Sequence, residues 1–311
     1  MAGRLMGWWL VLLLALAAPF ARERLRPGLD DRARRGAPGQ FAPLPEGTTH
    51  YRWLGAARGP VAVCIHGLST PSFVWEGLAP RLGALGFRVL IYDLYGRGYS
   101  NRPAGRQNAD FFVEQLEALL EDQQIEGDVS LFGYSMGGAI ATAYAARHPE
   151  VRHLILLAPA GMQVSLGRPA RAVRDLPVLG DWAFHLAWPR ILRQGIEAER
   201  ELPSSVPDIH DRQLAELGRR GYLPAVISSL RGILSRPLED EHRRVAATGL
   251  PVLALWGERD EIMPQSSLGR LAEWNRDAVQ EVISGAGHGL PYTHTEAVAE
   301  EIARFVAERP H

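Results

Sequence analysis

Apolar residues in this chain gather in short unbroken runs separated by amphipathic stretches. The runs Val61 to Ile65, Arg88 to Tyr92, Val129 to Phe132, His153 to Leu157 and Pro251 to Trp256 lack the polar alternation of a half-solvated strand. Continuous runs of this length belong to strands covered on both faces of a sheet. Segments at His50 to Leu54 and Val279 to Ile283 add two more strands. Between them the spacing turns helical: Phe73 to Leu85 (Phe73, Leu78, Leu82, Leu85), Asn108 to Glu121, Met136 to His148, and Thr295 to Glu308 with Ala297, Val298, Ile302 and Val306 on one face. Strand and helix in alternation predict an α/β fold with right-handed crossovers and a mostly parallel, doubly wound sheet. Ligands are then expected beyond the carboxyl ends of the strands, where His66, Asp93 and Ser135 fall.

The rhythm fails in three places. Residues 161–249 carry Pro169, Pro177, Pro189, Pro203, Pro207, Pro224 and Pro237 between short amphipathic pieces, with Trp182, Phe184, Leu186 and Trp188 close together. This predicts an inserted helical lid, leaving 48–160 and 250–311 as the core. Residues 21–47, rich in Arg, Pro and Gly, with Pro27, Pro38, Pro43 and Pro45, show neither period and read as a linker. Residues 1–20 read as a signal peptide or membrane anchor: Arg4 precedes the apolar run Trp8 to Ala18, and Ala15-Leu16-Ala17 offers a small-x-small cleavage site. Pro19 stands against cleavage, and Arg22, Arg24 and Arg26 favour a cytoplasmic C-terminal flank. Export to the periplasm or medium and a retained anchor both stay open, ahead of a cytoplasmic location.

Composition narrows the chemistry. A chain of 311 residues can bury a large core, and its formal charge of -1 is spread without long runs of one sign, which argues against nucleic acid as a partner. A single cysteine, Cys64, cannot close an internal disulfide or build a cysteine metal cluster, and its apolar surroundings suggest a buried structural thiol. Oligomeric state is not written in any of these features.

The chemistry lies in Gly133-Tyr134-Ser135-Met136-Gly137, at a strand-to-helix turn. A serine on such a turn projects its hydroxyl clear of both elements, so Ser135 is the candidate nucleophile. Its hydroxyl needs a base, and the base an orienting acid. Asp260 lies just beyond the run ending at Trp256, and His288 just beyond the one ending at Ile283, so both emerge on the sheet edge that carries Ser135. The order Ser, Asp, His is that of a nucleophile elbow with its triad. His148, His153, His185, His210 and His242 lack this context and read as surface or packing residues. An oxyanion needs two backbone donors, for which the amides of Met136 and Leu68 are the candidates, with His66 bracing the loop of Leu68.

The segments HGLST, YDLYGRGYSNRP, GYSMGG, WGERDEIMP and GAGH together resemble the α/β-hydrolase superfamily, over nearly all of Thr48 to Pro310 apart from the lid. Within it the chain resembles the lipase and esterase branch that includes monoacylglycerol lipases, lysophospholipases and carbon-carbon bond hydrolases. The resemblance implies Ser135 as nucleophile, Asp260 as orienting acid, His288 as base, Leu68 and Met136 as the oxyanion hole, and a structural Asp93. It implies a serine carboxylic-ester hydrolase working through an acyl-enzyme, with no metal or organic cofactor and a small-molecule ester as substrate. The aromatic lid and apolar N-terminus lean towards a lipid-like ester and membrane association. Carbon-carbon cleavage of a ring-fission product, amide or peptide hydrolysis, and a catalytically silent binding module remain the alternatives.

Overall fold

The computed structural model describes residues 2–162 and 168–309. Residue 1 of the expected N-terminal segment, 163–167 of the expected lid and 310–311 of the expected core lie outside them. In chain order the elements are α1 (Ala2–Leu25), α2 (Asp31–Arg34), β1 (Gln40–Leu44), β2 (Gly47–Gly55), β3 (Val61–Ile65), α3 (Ala79–Ala84), β4 (Arg88–Tyr92), α4 (Ala109–Asp122), β5 (Val129–Tyr134), α5 (Met136–Ala145) and β6 (His153–Leu157). Then come α6 (Arg168–Asp175), α7 (Leu179–Ala198), α8 (Ile209–Glu216), α9 (Tyr222–Arg231), α10 (Glu239–Thr248), β7 (Val252–Gly257), α11 (Ser266–Trp274), β8 (Val279–Ile283), α12 (Leu290–Thr293) and α13 (Thr295–Glu308).

The eight strands of the described residues join one sheet in the order β1-β2-β4-β3-β5-β6-β7-β8. From β4 to β8 every pairing is parallel, while β2 runs antiparallel to both β1 and β4. Alternate residues of the central strands feed two cores. Val63, Leu90, Leu131 and Leu154 pack on one face with α4 and α5, and Ala62, Val89, Phe132 and Ile155 pack on the other with Leu82, Val298 and Ile302. Burial on both faces is why these strands carry no polar alternation. Cys64 is one of the buried strand residues, and burial pushes its thiol well up.

Two expectations are corrected. The linker expected over 21–47 does not hold: α1 runs on to Leu25, and Gln40–Leu44 is an edge strand paired with β2, its Ala42 and Leu44 buried. An edge strand tolerates Pro43, whose missing N–H would break a central ladder, so the prolines hid a strand. The single helix expected over Phe73 to Leu85 divides into a 3-10 turn, Ser72–Trp75, and the short α3, with Gly77 and Pro80 between and at its start.

The apolar N-terminal segment is one helix through Ala15-Leu16-Ala17 and Pro19. Its distal half lies against α7: Trp182 Nε1 donates to Ala15 O at 3.3 Å, and the rings of Phe20 and His185 are 5.4 Å apart. The Glu23 carboxylate accepts from the Gly221 amide at 2.6 Å, at the start of α9. No helix among the described residues is long and apolar enough to cross a membrane.

His242, on α10, is buried against Trp274, and neither ring nitrogen has a hydrogen-bond partner among the described residues. Burial lowers its pKa to about 4. The unfolded chain therefore binds this proton more readily than the folded one between pH 6.5 and about 4, so the folded state loses stability as pH falls through that window. Replacing His242 with Phe removes the penalty. Its stabilising effect, read from urea unfolding midpoints, should be larger at pH 5 than at pH 7 by about 2 kcal/mol. A pH-independent effect would remove this account.

Candidate active site

Three strand ends and one loop supply the site. Ser135 follows β5 directly with φ 53° and ψ −118°, a backbone conformation that L residues rarely adopt and that stores on the order of 1–3 kcal/mol. The turn is held from outside: the Ser135 N–H donates to Leu157 O at the end of β6, and Ser135 O accepts from the Gly138 and Ala160 amides, each at 2.9 Å. Its glycines are there because of crowding. A Cβ on Gly137 would lie 2.0 Å from Ile65 O, and one on Gly133 would lie 2.5 Å from Gly137 O. With no side chain at either position, α5 starts directly against β3.

Asp260 and His288 stand beyond β7 and β8, and their side chains converge on Ser135. His288 Nε2 lies 3.0 Å from Ser135 Oγ, and His288 Nδ1 lies 2.9 Å from Asp260 Oδ2. The second carboxylate oxygen, Oδ1, accepts from the Ile262 and Met263 amides, both at 2.8 Å. These two donors fix the plane of the carboxylate and so the tilt of the imidazole. The His288 ring is half-covered by Tyr134, with ring centroids 5.3 Å apart.

Gly67 and Leu68 form the opposite wall, Gly67 packing directly on Ser135. Among the described residues neither the Leu68 N–H nor the Met136 N–H has an acceptor within the protein. The Met136 amide also begins α5, at the positive end of that helix. His66 does not enter the cavity. Its Nε2 accepts from the Leu94 amide at 2.9 Å, which leaves Nδ1 as the protonated nitrogen, donating to Gly67 O at 2.8 Å. The Gly67 carbonyl and the Leu68 N–H belong to one peptide unit, so this bond fixes the plane of that N–H and polarises it. Burial lowers the His66 pKa to about 4, keeping the ring neutral in this role.

Asp93 sits one strand away, buried beneath the loop rather than in the cavity. Burial alone would raise its pKa, but hydrogen bonds from His50 at 2.8 Å and from the Ser72 and Tyr99 amides at 2.9 Å hold it well below the usual carboxylate range. It ties the ends of β2, the 3-10 turn and the loop after β4 together.

The cavity above Ser135 holds about 420 Å³. Its walls are mainly apolar: Leu68, Ile262 and Met263 from the sheet side, and Trp188, Ile191, Leu192, Ile196, Leu230 and Leu234 from the helices between β6 and β7. Polar groups occupy two corners. In one, Tyr292 OH donates to Glu199 Oε2 at 3.0 Å and Gln213 Nε2 donates to Thr70 Oγ1 at 2.8 Å. In the other, Arg236 is paired with Glu241. Sequence reading missed all six of these. Thr70 closes the HGLST segment and Tyr292 lies four residues beyond His288, so these two had a motif near them; Glu199, Gln213, Arg236 and Glu241 arrive through packing that leaves no local pattern. Among the described residues no cluster of three or more His, Cys, Asp or Glu is placed to hold a metal ion.

The remaining histidines stay outside this cavity's chemistry. His148 stacks on Tyr144 at 4.0 Å and contacts Glu117 and Glu150, and His153 bonds Ser130 at 3.0 Å. His185 meets the Asp181 carbonyl at 2.7 Å, and His210 is buried on α8.

Known proteins share this arrangement of strands. The alpha/beta hydrolase family model matches residues 62–301. The 2-hydroxymuconate semialdehyde hydrolase of Pseudomonas sp. (strain CF600) is 30% identical over 246 residues, 75% of this chain and 81% of that protein. Among solved structures, a thermophilic esterase from Thermogutta terrifontis superposes with a TM-score of 0.72 at 23% identity, covering 88% of this chain and 100% of that one. A membrane phospholipase A, described as a bacterial virulence factor, superposes with a TM-score of 0.69 at 23% identity over 99% of both chains. At these identities the two structures speak for the fold alone. The family match and the 30% identical relative together establish that this chain is a member of the alpha/beta hydrolase family.

Proposed function

We propose that this protein is a serine hydrolase that cleaves apolar carboxylic esters through an acyl-enzyme. The observation that carries this reading is the relay Asp260, His288, Ser135, with links of 2.9 and 3.0 Å, opening into a mainly apolar cavity. His288 takes the Ser135 proton as Oγ attacks the ester carbonyl, while Asp260 stabilises the imidazolium that forms. The developing oxyanion is held by the Leu68 and Met136 amides, and the departing alcohol receives the proton from His288. Water then attacks the acyl carbonyl as His288 takes its proton, and collapse breaks the bond to Ser135 Oγ, which receives that proton from His288 as the acid is released. The helices between β6 and β7 serve as the lid that excludes water and shapes the acyl pocket, with residues 161–249 as that unit and 48–160 and 250–311 as the catalytic core.

A lipid-like acyl group suits walls built from Trp188, Ile191, Leu192 and Leu230. The N-terminal helix supports a membrane-associated or exported enzyme, since Trp8 and Trp9 are 74% and 65% exposed and Leu13, Leu14 and Leu16 are exposed beside them. Recovery of the full-length protein in the membrane or exported fraction of its host is expected; recovery only from the cytosol would remove that part of the reading.

Carbon-carbon hydrolysis is the second reading, favoured by the 30% identity to a 2-hydroxymuconate semialdehyde hydrolase and by Arg236, a cation at the cavity wall suited to a substrate carboxylate. The Arg236 guanidinium is already paired with Glu241, and Glu199 adds a carboxylate to the same cavity, which weighs against anionic substrates. A panel of p-nitrophenyl esters, monoacylglycerols and a 2-hydroxy-6-oxo-dienoate separates the two. Ester turnover with kcat/KM at least about tenfold above that for the dienoate is expected. Dienoate cleavage without ester turnover would overturn the proposal.

A further inference from the structure

Arg97 is fully buried in the loop after β4; among the described residues no carboxylate hydrogen-bonds to it, and the buried Glu216 favours its charge only from beyond contact. Its guanidinium donates instead to neutral acceptors on separate segments. Nε donates to Leu68 O at 3.1 Å, one nitrogen donates to Tyr95 O at 3.1 Å and to Gln107 Oε1, and the other donates to Ser229 Oγ at 2.8 Å and Ala225 O at 3.4 Å. Ser229 Oγ in turn donates to Gln107 Oε1 at 2.6 Å, closing the cluster. Burial lowers the Arg97 pKa only to about 10, so the group keeps its charge at neutral pH.

A buried cation without a contacting anion is a costly way to fill space, and its hydrogen bonds show what it achieves. Leu68 is flanked by two peptide units. The first, which contains the Leu68 N–H, is held by His66 through the Gly67 carbonyl. The second, which contains the Leu68 carbonyl, is held by Arg97. With both planes pinned, the backbone torsions of Leu68 have no slack, and the direction of its N–H is set. The far side of the same guanidinium grips α9, one of the helices between β6 and β7 that wall the cavity.

We propose that Arg97 is a positioning residue: it sets the Leu68 amide for the oxyanion and couples that amide to the seating of helix α9. The inference rests on the ester-hydrolase reading above. Its charge lies behind the Leu68 carbonyl, where it also favours negative charge on the cavity side of the loop. The conservative Arg97→Lys change keeps the charge but lacks the planar fork needed to reach Leu68, Tyr95 and Ser229 together.

The test measures kcat and KM of wild type, Arg97→Lys and Ser229→Ala on the same p-nitrophenyl ester, with melting temperature and circular dichroism for each. It also measures the affinity of a trifluoromethyl ketone, whose hemiketal oxygen mimics the oxyanion. Arg97→Lys should lower kcat about 100-fold with KM within about twofold, the size of effect seen when one oxyanion donor is lost. Affinity for the ketone should fall in proportion to kcat/KM. Ser229→Ala, which leaves Arg97 in place but loosens its grip on α9, should lower kcat about fivefold at constant KM. If Arg97→Lys does not fold, Ser229→Ala decides by itself. Unchanged kcat in whichever folded variant is read, or a rise in KM with kcat preserved, overturns the role assigned to Arg97. A wild-type enzyme that neither turns over esters nor reacts with a fluorophosphonate overturns the ester reading itself, a result distinct from an active wild type with indifferent variants.

Discussion

Replacing Ser135 with alanine should lower kcat by about 10⁶-fold and abolish labelling by a fluorophosphonate. Ser135 Oγ is the hydroxyl that His288 Nε2 reaches, at 3.0 Å, and the histidine of the neighbouring loop, His66, has both ring nitrogens committed to Leu94 and Gly67. His66 is also held neutral by burial and does not open into the cavity. Among the described residues His288 is the only histidine that lines this cavity. Alanine accepts the same φ of 53° about as poorly as serine does, so the turn is not relieved and the variant should melt close to wild type. Measured on the most reactive ester of the panel, residual activity of a few per cent, surviving removal of trace contaminants, would show that the reaction runs through another group.

Asp260→Asn should be nearly as damaging, at about 10⁴-fold in kcat, and the geometry gives a specific reason. The Ile262 and Met263 amides both donate to Oδ1 at 2.8 Å, so an asparagine must turn its one carbonyl oxygen towards them. Its NH₂ then faces His288 Nδ1, which has to become an acceptor. The imidazole is left with its proton on Nε2, pointing at Ser135, and cannot accept another there while neutral. Fold and substrate affinity should be preserved, and the rate of fluorophosphonate labelling should fall in step with kcat. A loss below about tenfold would mean that the carboxylate does not govern the histidine tautomer.

Much of the frame is legible in the sequence because sheet burial writes itself locally. Val61–Ile65, Arg88–Tyr92, His153–Leu157 and Val279–Ile283 coincide with the expected strands residue for residue; the first three had to be apolar over nearly all their length to sit between two helical layers, while the edge strand Val279–Ile283 carries Gln280 and an exposed Glu281. The places of Ser135, Asp260 and His288 follow from the ends of the runs Val129 to Phe132, Pro251 to Trp256 and Val279 to Ile283. What stays hidden is either masked by local chemistry or made by distant packing. Pro43 disguises β1, because only the edge position makes a proline acceptable there. Gly77 and Pro80 interrupt a stretch whose apolar spacing alone suggests one helix. Glu199, Gln213 and Arg236 reach the cavity from helices whose arrangement depends on contacts far along the chain, and no spacing within any one helix announces it. Arg97 lies inside a recognisable glycine-rich segment, yet its partners at Leu68, Gln107, Ala225 and Ser229 come together only on folding.

The helices between β6 and β7 leave and re-enter the sheet at strands that are hydrogen-bonded neighbours. The two attachment points therefore stay together whatever the excursion contains, and lengthening it adds only a small, logarithmically growing closure entropy. Mutation can rebuild much of this segment while the sheet beneath keeps its register, provided that the α9 contacts with Arg97 are kept. Such modularity lets a lineage explore new molecules without reinventing the way it breaks them, which is a reason for one architecture to host cleavage of quite different bonds.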